Sequence, residues 1–233
     1  MYLPANFTDA DLTNANFANA DLIYTNLTNA TLTNVSSGGI TGTPNVLPTG
    51  WQLRGGYLIG PTANLASANL ANGNLAGTDL TNANLAGANL AGATLTNVSS
   101  GGITGTPSAL PTGWQLIGGY LIGPTANLRN ANLANANLAN ANLAYANLAY
   151  ATLTNVSSGG ITGIPTLPVG WQFASGYLIG PTANLSSANL TGALLNFANL
   201  SSANLTNADL SGASFKQALF YNSDLRNATL NNI

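Results

Sequence analysis

Apolar residues recur along this chain every five positions. From Ala126 to Asn155 the sequence runs ANLRN ANLAN ANLAN ANLAY ANLAY ATLTN, with Ala at 126, 131, 136, 141, 146 and 151 and Leu at 128, 133, 138, 143, 148 and 153. A helix places apolar residues with a period of 3.6 and a half-buried strand with a period of 2, so five fits neither. It fits a coil of flat sides, each turning one small and one large apolar residue inward before a corner. The predicted fold class is therefore all-β: a single continuous solenoid that grows by stacking coils rather than around a globular centre.

Four blocks carry the pattern, at 5–34, 63–97, 126–155 and 183–232. Three near-copies of one insert separate them, at 35–62, 98–125 and 156–182, the first reading VSSGGITGTPNVLPTGWQLRGGYLIGPT. Val35 and Ile40 keep the five-residue phase. The Pro and Gly turn signals of TPNVLPTG, 43–50, predict an outward loop. WQLRG (51–55) and GYLIG (56–60) read as two further sides with Leu53 and Leu58 in the large-residue slot, so that each insert counts as five sides. With seven pentapeptides between the first two inserts and six between the second and third, a four-sided coil puts the first two loops on one face. The third is expected one face round.

The pentapeptides, a small residue, then Asn or Asp, then Leu or Phe, then two small or polar residues, resemble the pentapeptide-repeat family. The resemblance implies a right-handed quadrilateral parallel β-helix with four pentapeptides per coil, in which Ala126, Ala131, Leu128, Leu133, Phe7 and Phe17 point inward. The inserts look like segments found in cyanobacterial members. Stacked coils lie about 4.8 Å apart, so some 45 sides imply roughly 11 coils and a rod of about 53 Å. Some family members resemble DNA in shape and charge and inhibit DNA gyrase; a formal net charge of −2 argues against that role here.

Composition narrows the chemistry. The chain has six Asp, four Lys+Arg, and no Glu, His or Cys. General acids, bases, nucleophiles and metal ligands are nearly missing, so no enzyme activity, cofactor or metal site is expected. Arg54, Arg129, Lys216 and Arg226 are too scattered to neutralise a run of phosphates, so nucleic acid is not an expected partner. No apolar run reaches the ~18–20 residues of a membrane span. The opening MYLPANF lacks the basic start and apolar stretch of a signal peptide. The glycine-rich SSGGITG lacks the Lys of a phosphate loop. Asn in the slot before each Leu reads as a hydrogen-bonding ladder that satisfies turns.

Two sets of residues remain as candidates for contact. Trp51, Trp114 and Trp171, with Tyr57, Tyr120 and Tyr177, recur in the inserts as an aromatic surface or as pins holding each loop to the coil. Each Trp falls in a small-residue slot, which favours the pin. Met1, Tyr2, Leu3, Leu230 and Ile233 stand at the two ends of the register, which a second copy joined end to end would continue. With only 4% charged residues, the surface suits packing against copies of itself. The chain reads as a non-enzymatic structural protein that self-associates head to tail into a filament or surface assembly, extracellular or at the cell surface. A rod presenting Asn, Thr and Ala ladders to ice or polysaccharide is the alternative.

Overall fold

The computed structural model describes residues 4–233, so the predicted contacts at Met1, Tyr2 and Leu3 lie outside the described residues. The chain divides into two compact units, 1–121 and 122–233. Among the described residues there is no helix.

In the first unit, parallel bridges link residues twenty apart: Asn6 to Asn26, Asp11 to Thr31, Asn16 to Ser36 and Asp21 to Thr41. Twenty residues make one turn of four five-residue sides. Each side ends in a β-turn, as where the Ala10 N–H donates to the Phe7 C=O (3.0 Å). The residue before the small one takes a left-handed conformation, such as Asn14 (φ 62°) and Asn19 (φ 58°), which is why Asn and Gly crowd that slot. The Asn/Asp slot secures the same turn. Asn84 Oδ1 accepts the Ala86 N–H (3.0 Å), and Asn84 Nδ2 donates to Asn64 Oδ1 in the coil beneath (3.2 Å). Leu75, Leu80, Leu85 and Leu90 are fully buried, with Ala83 and Ala88 beside them. Each such Leu contributes about 1.5–3 kcal/mol by leaving water. Thr78 occupies a small-residue slot, and its buried hydroxyl donates to the Leu75 C=O (2.8 Å).

The inserts differ from expectation in three ways. First, 43–50 does not bulge outward. Val46 bridges Asn26 in parallel, Leu47 packs on the core, and Pro48–Trp51 forms a corner in which the Trp51 N–H reaches the Pro48 C=O (3.1 Å) with Gly50 at φ 84°. The Pro and Gly signals mark a side with its corner, not a loop. Second, WQLRG and GYLIG are not two sides. They form an antiparallel hairpin, β1 (Gln52–Arg54) and β2 (Tyr57–Ile59), around Gly55 and Gly56, both with positive φ. A two-residue hairpin turn also sets residues five apart opposite one another, here Leu53 and Leu58. The hairpin therefore imitates the repeat spacing. Third, Ser36 bridges Asn64, so residues 36–64 complete a single turn, four sides instead of five. Ser36 then stands on the Asn64–Asn84–Thr104 ladder, whereas its counterpart Ser99 stands on that of Asp79. The first two inserts start on different faces, not on one.

The hairpin works as a partition. Leu58 belongs to a core cluster with Leu22, Leu27 and Leu32, while Ile59 belongs to another with Leu65, Leu75 and Leu85. Alternation along one strand explains this, because successive side chains point to opposite faces. Gly56 accepts the Ile40 N–H (3.1 Å), and Ser37 Oγ accepts the Leu58 N–H (2.9 Å), fastening the hairpin to the coil. The second insert forms the hairpin β3 (Gln115–Ile117) and β4 (Tyr120–Ile122).

The second unit repeats the plan. Asn127, Asn147 and Thr166 form one ladder, Ser157, Asn184, Asn204 and Asp224 another. The hairpin of β5 (Gln172–Ala174) and β6 (Tyr177–Ile179) turns at Ser175 and Gly176. Its Ile179 joins a core running through Leu185, Leu195, Leu205 and Leu210.

Candidate functional site

Five of the six acidic residues serve their own turns, whereas Asp9 Oδ1 accepts from Asn29 Nδ2 one coil away (3.1 Å). Asp11 Oδ1 accepts both the Thr13 N–H (3.0 Å) and the Thr13 hydroxyl (2.6 Å), and these bonds hold its carboxyl below the ordinary carboxylate range. Asp209 is lowered in the same direction by Ser211, and Asp224 by its bonds with Arg226, the one ion pair among the described residues. Asp21 and Asp79 accept the N–H groups of Ile23 and Thr81. No cluster of three or more metal-ligating side chains exists among the described residues. A hollow of about 200 Å³ beside the first hairpin tip, lined by Arg54, Gly55, Asn69 and Asn74, offers one cation and no nucleophile.

The insert aromatics are half-buried. Trp51 packs against the core clusters on both sides of its hairpin, Trp114 against one cluster of the first unit, and Trp171 against that of the second. Tyr57 Oη accepts the Asn69 N–H (3.1 Å), and Tyr177 Oη accepts the Asn189 N–H (3.1 Å). Each supplies an acceptor to a coil next to a hairpin. Glycines make room for the rings: a Cβ on Gly38 would stand 3.1 Å from Tyr57, and one on Gly101 2.9 Å from Tyr120. The dipeptides Gly55-Gly56, Gly118-Gly119 and Ser175-Gly176 were the sequence signal for these hairpins, masked by the five-residue phase around them.

One coil edge in each unit is the other notable surface. Inside a unit, the Asn/Asp-slot N–H donates one coil down, as from Asn26 to the Ala5 C=O (3.0 Å), and the Leu-slot N–H one coil up, as from Phe7 to the Asn26 C=O (2.8 Å). Among the described residues, Asn6, Asp11, Asn16 and Asp21 have no backbone acceptor for this downward bond. In the second unit, Phe215, Phe220, Leu225 and Leu230 lack the upward one. Phe215 and Phe220 meet edge to face (5.3 Å) at that edge, and Leu230 and Ile233 are exposed.

No helix among the described residues is long and apolar enough to cross a membrane. A comparison of the sequence with curated proteins finds no match. Among solved structures, HetL, a pentapeptide repeat protein involved in heterocyst differentiation regulation from the cyanobacterium Nostoc sp. strain PCC 7120, is 22% identical over 99% of this chain and 91% of its own, with a TM-score of 0.25. QnrB1, a plasmid-mediated fluoroquinolone resistance protein, is 14% identical over 98% of this chain and 90% of its own, with a TM-score of 0.20. Superpositions this poor carry no functional argument. The sequence match to the family model does carry the assignment: eight copies of the pentapeptide repeat cover 5–36, 63–99, 126–157 and 183–233. With its four-sided coils and its Asn/Asp-Leu turns, this chain belongs to the pentapeptide-repeat family.

Proposed function

We propose that this protein is a non-enzymatic structural scaffold that associates with copies of itself, coil edge to coil edge. The observation that supports this is the complementarity of the two open edges. Among the described residues, the N–H groups of Asn6, Asp11, Asn16 and Asp21 in the first unit have no backbone acceptor, and the carbonyls of Ala213, Ala218 and Ala228 in the second have no backbone donor. These are the two halves of the bond that joins coils elsewhere. Exposed strand edges invite such pairing, and a heterologous contact that does not close produces fibres. Half-buried Phe215, Phe220 and Leu225 would complete their burial under a further coil.

Negative-stain electron microscopy beside light scattering over a concentration series tests this. The expected result is rods that lengthen with concentration, shortened by Leu230→Asp on the open edge. A concentration-independent monomer would refute edge-to-edge assembly.

A further inference from the structure

The hollow of about 200 Å³ beside the first hairpin tip lies within the first unit and carries two residues that the other inserts lack. Arg54, Asn69, Leu70, Gly73, Asn74 and Leu75 line it. The two leucines recur after every insert, as Leu133 and Leu138 and as Leu190 and Leu195. Arg54 and Gly73 do not recur. Ile117 and Ala174 stand in the place of Arg54, and Ala136 and Ala193 in that of Gly73. No positive φ calls for the glycine. The Gly73 N–H closes its turn on the Leu70 C=O (3.0 Å), just as the Ala136 N–H does on the Leu133 C=O (3.0 Å). Glycine here makes space and does not relieve the backbone. Two departures from the repeat thus fall on one hollow.

The hairpin also leaves donors unpaired at this place. Between regular coils the Asn/Asp-slot N–H donates one coil down, and here the hairpin interrupts that ladder. Tyr57 Oη takes over as acceptor for the Asn69 N–H (3.1 Å), while the Asn74 N–H has no acceptor among the described residues. Arg54 Nε donates to Gln52 Oε1 (3.0 Å), which steadies the guanidinium and leaves its two terminal nitrogens without a carboxylate. The Oδ1 atoms of Asn69 and Asn74 are taken by the N–H groups of Ala71 (3.3 Å) and Ala76 (3.1 Å), so their amide nitrogens are what remains. Every side-chain group still unpaired around the hollow is therefore a donor, and one of them is charged. Such a set calls for an acceptor-only group, and a planar carboxylate matches the guanidinium fork.

The rest of the wall is apolar, from Leu70 and Leu75, and the missing methyl at Gly73 opens the corner between their two sides. A cavity of about 150 Å³ takes up benzene, so this hollow has the volume for one small ring with a charged end at its mouth. We propose that it binds a small organic carboxylate, with the charge held by Arg54 and the Asn74 N–H and the apolar tail against Leu70 and Leu75. An inorganic anion would satisfy the donors and leave the apolar wall wet. None of the lining residues belongs to the open coil edges, so the site does not rest on edge-to-edge assembly.

Ligand-observed nuclear magnetic resonance on the full chain, with benzoate as the probe, tests this and reads binding whether or not the chain assembles. Benzoate should bind with a dissociation constant on the order of 1 mM, as a ligand of so few atoms allows. Benzyl alcohol keeps the ring without the charge and inorganic phosphate keeps charge without the ring; each should bind about tenfold more weakly or worse. Arg54 is exposed, so Arg54→Gln keeps the fold, and it should weaken benzoate about tenfold. Gly73→Ala restores the residue of the other two inserts and should weaken benzoate by a similar factor by narrowing the hollow. Arg129→Gln, which removes a cation of the second unit, should change nothing. A wild type that does not bind benzoate, binding unmoved by Arg54→Gln or by Gly73→Ala, or an equal loss with Arg129→Gln would overturn the site. Phosphate or benzyl alcohol binding as tightly as benzoate would overturn its assignment to a carboxylate with an apolar tail.

Discussion

Gly60 allows the partition model to be tested with one methyl group. Its φ is not positive, so alanine there is free of backbone strain, and at such sites Gly→Ala ordinarily stabilises by about 0.4–1 kcal/mol through the unfolded chain. In this fold the added Cβ would stand 2.7 Å from Cε3 and 2.8 Å from Cγ of Trp51. Those atoms lie near the base of a ring wedged against two core clusters, so the ring must shift as a body. Overpacking of this kind costs about 1–3 kcal/mol, leaving a net loss of about 1–2 kcal/mol after the unfolded-state gain. With Trp51→Ala the obstruction is gone, and adding Gly60→Ala should turn to a gain of about 0.4–1 kcal/mol. Urea denaturation of the four proteins followed by far-ultraviolet circular dichroism gives the cycle. Gly180 against Trp171, where Cε3 would be 2.5 Å from the new methyl, provides an independent repeat in the second unit. A Gly60→Ala protein as stable as wild type, or the same loss with and without Trp51, would refute the geometry from which the partition is argued.

Three further outcomes follow from the turns and the charges. Asn84→Ala removes the acceptor for the Ala86 N–H and should cost about 1 kcal/mol in thermal denaturation, while Asn84→Asp keeps that acceptor and should cost less. Gly77 has φ 67° and open space around it, so Gly77→Ala should lose about 1 kcal/mol from conformation alone and Gly77→Asn much less. Asp11, Asp209 and Asp224 have folded-state pKa values below 3.8, so they bind fewer protons folded than unfolded in that range. Their stabilisation is present above that value and is lost as pH falls through the folded values. With no His in the chain, the melting temperature should stay flat from about pH 5 to pH 9 and drop below 3.8; a transition near pH 6 would contradict this assignment of the titrating groups.

The five-residue period determined the flat-sided coil, the inward Ala and Leu, and the turn-securing role of Asn, because each is repeated locally and each five-residue side carries its own instructions; four sides to a coil was implied by the family resemblance and is decided by bridges between residues twenty apart. Asn14 and Asn84 need nothing distant to take up their turns. The inserts were legible only in part. Leu53 and Leu58 are five apart whether they lie on successive sides or opposite each other in a hairpin, so spacing could not separate the two; bonds from Ile40 to Gly56 and from Leu58 to Ser37 decide it. That decision shortens the insert by one side and moves the second insert to another face.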